Sequence, residues 1–198
     1  MRNTAFTALF ALLLTWAPLC AAGALSESLV LVAKPELQDA VYGRTVLVVI
    51  PFGIDQHLGF IINRPTRVTL GRIFPQHAPS QKVLDPVFFG GPMDPRAIFA
   101  LVARDDSPGG GCIEMMPGLF AAFDGRTVDR MIEANPDDAR FVAGLVVWRP
   151  GELRYEIEQG AWYVLRSDAK LAMREPEGLW EELVRRAQRA RHLHATGG

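Results

Sequence analysis

Apolar residues in this chain come in short runs, and almost every run is cut off by proline, glycine or an Asn/Asp cluster. In HLGFIINRPT, residues 57–66, Phe60-Ile61-Ile62 meets Asn63-Arg64-Pro65-Thr66 with no linker; in FFGGPMD, residues 88–94, Phe88-Phe89 meets Gly90-Gly91-Pro92. Short runs rich in β-branched residues and bounded by turn formers are strands. Strands are therefore predicted over 28–34, 44–51, 57–63, 85–90, 96–104, 113–116, 119–123, 140–148 and 162–165. RFVAGLVVW, residues 140–148, is apolar without alternation, as expected of a central strand covered on both faces.

Helical spacing appears between these runs. A helix is predicted over 36–42, opened by Pro35, with Leu37 and Val41 on one face and Gly43 at its end. A helical turn is predicted over 69–74. A further helix, capped by Asp124, runs to 134 with Val128, Met131 and Ile132 inward. Pro150-Gly151 opens a helix through 158, and the C-terminal helix places Trp180, Leu183, Val184 and Ala187 on one side. Strands occur both singly between helices and in adjacent groups, which predicts an α+β fold with a mixed sheet.

The first 24 residues differ in kind. Arg2 precedes an uncharged apolar run over about 5–19, and the segment ends in the small residues Ala21, Ala22, Gly23 and Ala24. That order is the n-region, h-region and cleavage site of a secretory signal, and the run is shorter than the roughly 20 residues of a spanning helix. Residues 1–24 are thus expected to be a signal peptide cut after Ala22 or Ala24, and residues 25–198 a single exported, periplasmic domain. Alternatives are lipidation at Cys20, an uncleaved anchor, or a misassigned start that leaves the protein cytoplasmic. Cleavage removes Cys20 and leaves Cys112 as the lone cysteine, which cannot form an internal disulfide. The full chain carries 21 basic and 22 acidic residues, a balance without the basic excess of a nucleic-acid binder.

Four segments in this order resemble the YqgE/AlgH family: LVLVAKPELQDAVYGRTV, GFIINRPT, FFGGPM leading to Phe99 and Leu101, and WRPGELRYEIEQGAWYV. The resemblance runs from about Leu29 to Leu183. It implies a bifurcated mixed sheet with a small barrel-like part and surrounding helices. The chain departs from the family where Pro51-Phe52 and Val102 replace typical histidines and along Gly144 to Arg154, and family members start near the first strand without an export signal. The family's description as transcriptional regulators transfers only if the protein stays in the cytoplasm.

Two readings are open for Asn63, Arg64, Gly90 and Gly91. They are strand-ending turns, or they form a small anion- or peptide-binding rim with Arg64 as the charged partner. Gly109-Gly110-Gly111 is a flexible hairpin or a phosphate cradle, although no Gly-Lys-Ser/Thr follows. Cys112 is a small thiol at a strand start, and none of His57, His77, His192 and His194 makes a recognisable cysteine-enzyme pattern with it. Glu152 and Glu156 share a helix face near Glu158, and Arg149 and Arg154 point to an ion-paired surface there rather than an acid–base pair. His192 and His194 match no zinc spacing. Arg185, Arg186, Arg189 and Arg191 form a solvated face or one that meets phosphate or anionic lipid. No cofactor is expected, no catalytic residue is assigned, and the expected role is binding to a protein or small molecule. A periplasmic enzyme using Glu152, Cys112 or Arg64 is the alternative.

Overall fold

A computed structural model describes residues 24–134 and 136–196. Its strands are β1 (Leu29–Ala33), β2 (Val46–Pro51), β3 (His57–Ile61), β4 (Pro65–Thr69), β5 (Pro86–Phe89), β6 (Met93–Ala103), β7 (Cys112–Met116), β8 (Leu119–Ala122), β9 (Ala139–Trp148) and β10 (Trp162–Arg166). The helices are α1 (Leu70–Ile73), α2 (Gly125–Ala134), α3 (Glu152–Glu158) and α4 (Leu179–Thr196). The expected export segment lies outside the described residues except for Ala24, and so does Asn135.

The main sheet runs β10-β1-β2-β3-β9-β6-β8-β7. It forks at β9. The far half of β9 pairs antiparallel with β3 through Gly59–Val146 and His57–Trp148. Its near half carries β6 on one edge and β5, in parallel, on the other. Beyond β6 the sheet curls, and β7 returns against β2 so that Met115 and Met116 share a core with Val46 and Val48. The fold is α+β with a mixed, bifurcated sheet and a half-barrel curl.

Both faces of β1–β3 are buried, which explains their unbroken apolar sequences in an antiparallel setting where one wet face is usual. Val30, Val32, Val46, Val48 and Phe60 face a core closed by Leu183 and Val184 of α4. Leu31, Leu47, Val49 and Ile61 face the opposite way, against Trp148, Leu153 and Trp162. A third cluster packs α2, through Val128 and Ile132, on Ala100, Ala122 and Phe141.

Four expectations are corrected. The helix predicted over 36–42 is a series of turns, because the Asp39 carboxylate accepts the backbone N–H groups of Val41 (2.7 Å) and Tyr42 (2.8 Å) and competes with helical bonding. The left-handed residue at its end is Arg44 (φ 60°) rather than Gly43. Pro65 and Thr66, read as the close of a turn, instead open strand β4, which pairs with β5. Strand β6 starts at Met93, earlier than expected, and passes Pro95 through a register shift between Met93 and Ile98.

Candidate functional site

Asn63, Arg64, Gly90 and Gly91 meet at the fork. The N–H of Gly90 donates to Ala143 O and the N–H of Ile61 donates to Gly90 O, both at 2.8 Å, so this peptide is a strut between β3 and β9. The N–H of Phe89 donates to Arg64 O at 2.8 Å, which lays the two predicted loops side by side. Asn63 does not bond its own turn. Its Oδ1 accepts the Val46 N–H (2.8 Å) and its Nδ2 donates to Arg44 O (3.0 Å), sealing the start of β2. The Arg64 guanidinium turns to the carbonyls of Ala40 (3.3 Å) and Gly43 (2.8 Å). Burial pushes its pKa down, and Asp39 opposes that shift. Arg140 behaves alike, donating to Ile62 O and Arg174 O with its guanidinium 4.2 Å over the Phe88 ring. Both arginines tie backbone carbonyls together around the fork.

The carboxylates after Trp148 divide their tasks. Glu152 braces the turn that leads into α3, accepting the Arg149 N–H at 2.7 Å while its other oxygen pairs with Arg149 Nε at 3.3 Å. Arg154 reaches Asp55 across the β2–β3 hairpin at 3.0 Å instead of pairing within the helix. Glu156 Oε2 accepts two indole N–H groups, from Trp148 (3.0 Å) and Trp162 (2.8 Å). Tyr42 lies edge-on to Trp162, and burial first, then the nearby Glu156, Asp39 and Glu152, raise its phenol pKa.

Of the remaining candidates, Cys112 is half-buried at the start of β7. Burial raises its thiol pKa and Arg130 only partly offsets this, the reverse of an activated nucleophile. His57 is buried in β3 with Nε2 at 2.9 Å from Leu25 O, and His77 contacts Ser80 and Glu133. His192 is exposed on α4, and the side chain of His194 lies outside the described residues. Arg185, Arg186 and Arg189 are exposed, while Arg191 stands 5.9 Å over the Tyr163 ring. Among the described residues no cluster of three metal-ligating side chains occurs, and no helix is long and apolar enough to cross a membrane.

A concave surface lies where the glycine loop meets α2. The Asp124 carboxylate caps α2 through the Thr127 N–H at 3.1 Å, and the Thr127 side chain first, then its backbone N–H, lower the Asp124 pKa. Thr127 Oγ1 donates to Gly110 O at 2.9 Å, and Arg130 Nη2 donates to Thr127 Oγ1 at 2.8 Å. A Cβ on Gly111 (φ 83°) would lie 1.7 Å from Asp124 Oδ2, so this junction requires glycine. The loop carbonyl is thus fastened to the helix. Two hollows, of about 730 and 660 Å³, open on either side of the junction and share Thr127 and Arg130. Asp105 and Asp138 line the larger one. Arg104 there is paired with Asp106 at 3.1 Å, whereas Arg130, Asp105 and Asp138 have no ion pair among the described residues. The cap and the glycine loop are each visible in the sequence; their meeting with Arg130 is long-range and is not.

The model of the AlgH-like family, DUF179, matches residues 30–191. A UPF0301 protein of Streptomyces avermitilis is 30% identical over 174 residues, covering 84% of this chain and 89% of the relative. One from Thermobifida fusca is 32% identical over 166 residues, covering 79% and 84%. The solution structure of the AlgH protein from Pseudomonas aeruginosa has a TM-score of 0.67 at 20% identity, covering 82% of this chain and 87% of that one. An X-ray structure of a Corynebacterium diphtheriae protein scores 0.64 at 20% identity, covering 81% and 86%. The structural likeness is one of fold. With a family match across nearly the whole domain and relatives at this identity, the chain belongs to the AlgH-like family.

Proposed function

We propose that the protein is exported and acts there by binding, taking a ligand that carries both a carboxylate and an amine, such as a peptide end, in the hollow beside α2. The observation that carries this reading is charge: one guanidinium, Arg130, and two carboxylates, Asp105 and Asp138, line a single hollow without ion pairs. A zwitterion complements that set, while a simple anion would face the carboxylates. The alternative of catalysis finds its nominated groups occupied. Glu152 holds the backbone N–H and guanidinium of Arg149, Arg64 holds carbonyls, and burial raises the Cys112 thiol pKa.

Triglycine is the probe. It should raise the thermal midpoint, since ligand at ten times its Kd adds about 1.4 kcal/mol. N-acetylation, C-amidation or Arg130→Gln should each abolish the rise; equal stabilisation by the doubly blocked peptide sinks the assignment. Export has its own support, since Leu25, the first residue after Ala24, is already seated in the core and its carbonyl is held by His57. The protein recovered outside the inner membrane should begin at or near Leu25 by N-terminal sequencing. An intact Met1 on a soluble cytoplasmic protein would overturn that half and reopen a regulatory role.

A further inference from the structure

We propose that the tip of the β2–β3 hairpin is a membrane-contacting wedge that sets one end of the domain against the bilayer. The inference rests on the export reading. Phe52 and Ile54 flank the tip and are 50% and 90% exposed. They stand out from a tip that is held in place. Phe52 N–H donates to Gln56 O at 2.7 Å, Asp55 pairs with Arg154, and the Gly151 N–H donates to Asp55 O at 3.3 Å. Ile54 leaves nearly all of its side chain in water and Phe52 about half, and exposed apolar area carries a cost there.

The sheet register shows what lies at this end. Leu29 pairs Val49, His57 pairs Pro51, and Trp148 pairs His57, so the start of β1, the hairpin tip and the end of β9 share one rim. Leu25 is fixed at that rim by His57. The apolar run of the export segment ends near Leu19, and residues 20–24 can span at most about 17 Å. While that run occupies the membrane, the domain is therefore held close to the bilayer by the rim that carries Phe52 and Ile54. Arg166, the last residue of β10, is exposed on this rim and has no ion pair among the described residues, whereas Arg149, just past β9, is paired with Glu152. An apolar tip with one unpaired cation, Arg166, on its rim suits the interface of an anionic bilayer.

The test uses the full chain reconstituted into phosphatidylcholine–phosphatidylglycerol vesicles. Ile54→Cys carries a polarity-sensitive fluorophore in a Cys20→Ser, Cys112→Ala background, with Leu84→Cys, 83% exposed beside β5, as the control. The Ile54 label should brighten several-fold and be quenched by nitroxide-bearing lipid but not by aqueous iodide, and the Leu84 label should behave oppositely. An Ile54 label as open to iodide as the control overturns the wedge. A label shielded from both quenchers also overturns it, because residues 5–19 or a second copy then cover the tip. Failure of export shows separately, as an uncut chain in cell fractions, and does not alter the vesicle readout.

Discussion

Replacing Trp148 with alanine should lower stability by about 3–5 kcal/mol, the range for removing a large buried aromatic. Trp148 and Trp162 are 3% and 4% exposed, and they arrive from strands on either side of α3. Between them stands one carboxylate oxygen, Glu156 Oε2, that accepts both indole N–H groups. Burying an indole without a partner for its N–H is costly, so Glu156→Ala should also destabilise, by about 1–3 kcal/mol for each donor left unsatisfied. Glu156→Gln keeps a carbonyl acceptor and should cost less than the alanine change. Denaturant titration measures all three. In a Trp16→Phe background, acrylamide should barely quench the folded protein, since Trp180 is buried as well. Strong quenching, or an alanine variant at Trp148 as stable as the parent, would falsify the anchor.

The sequence makes most of this fold readable because strands buried on both faces leave continuous apolar runs. What it hides is local competition and long-range partnership. Residues 36–42 have helical spacing, yet Asp39 captures two N–H groups and turns the chain. Strand β4 is mostly exposed and has no apolar alternation, so Pro65 reads as a stop when it is the first residue of an outlying strand. At the candidate site, Glu156 beside Arg154 looks like a surface ion pair. Its true partners are indoles six and eight residues away on strands that converge only in the fold. Asn63 likewise reads as a turn former, and its bonds go to Arg44 and Val46 across the hairpin. Arg130 has no sequence signature, because its partner Gly110 lies on a loop brought over by β7 and β8.

The fork itself should be the least forgiving place for added atoms. A Cβ on Gly90 would lie 2.3 Å from Gly144 O, one on Gly91 would lie 2.3 Å from Leu145 C and O, and one on Gly144 would lie 2.2 Å from Gly91 O. Every atom struck is backbone, so no rotamer change relieves the clash. Gly144 adds a second constraint, because its φ of 73° strains any L side chain. Separating the two chains would stretch the Gly90–Ala143 and Ile61–Gly90 bonds that join β3, β5 and β9. Gly90→Val and Gly91→Val are therefore each expected to cost about 3 kcal/mol or more, at the upper end of overpacking in a core. Gly125→Ala, where an added Cβ meets nothing within 4 Å, should stay within about 0.5 kcal/mol of the parent. Thermal melts of the purified variants decide the matter. Unchanged midpoints for both valine variants would mean that the backbones at the fork are not in contact, and the strut between β3 and β9 would have to be abandoned.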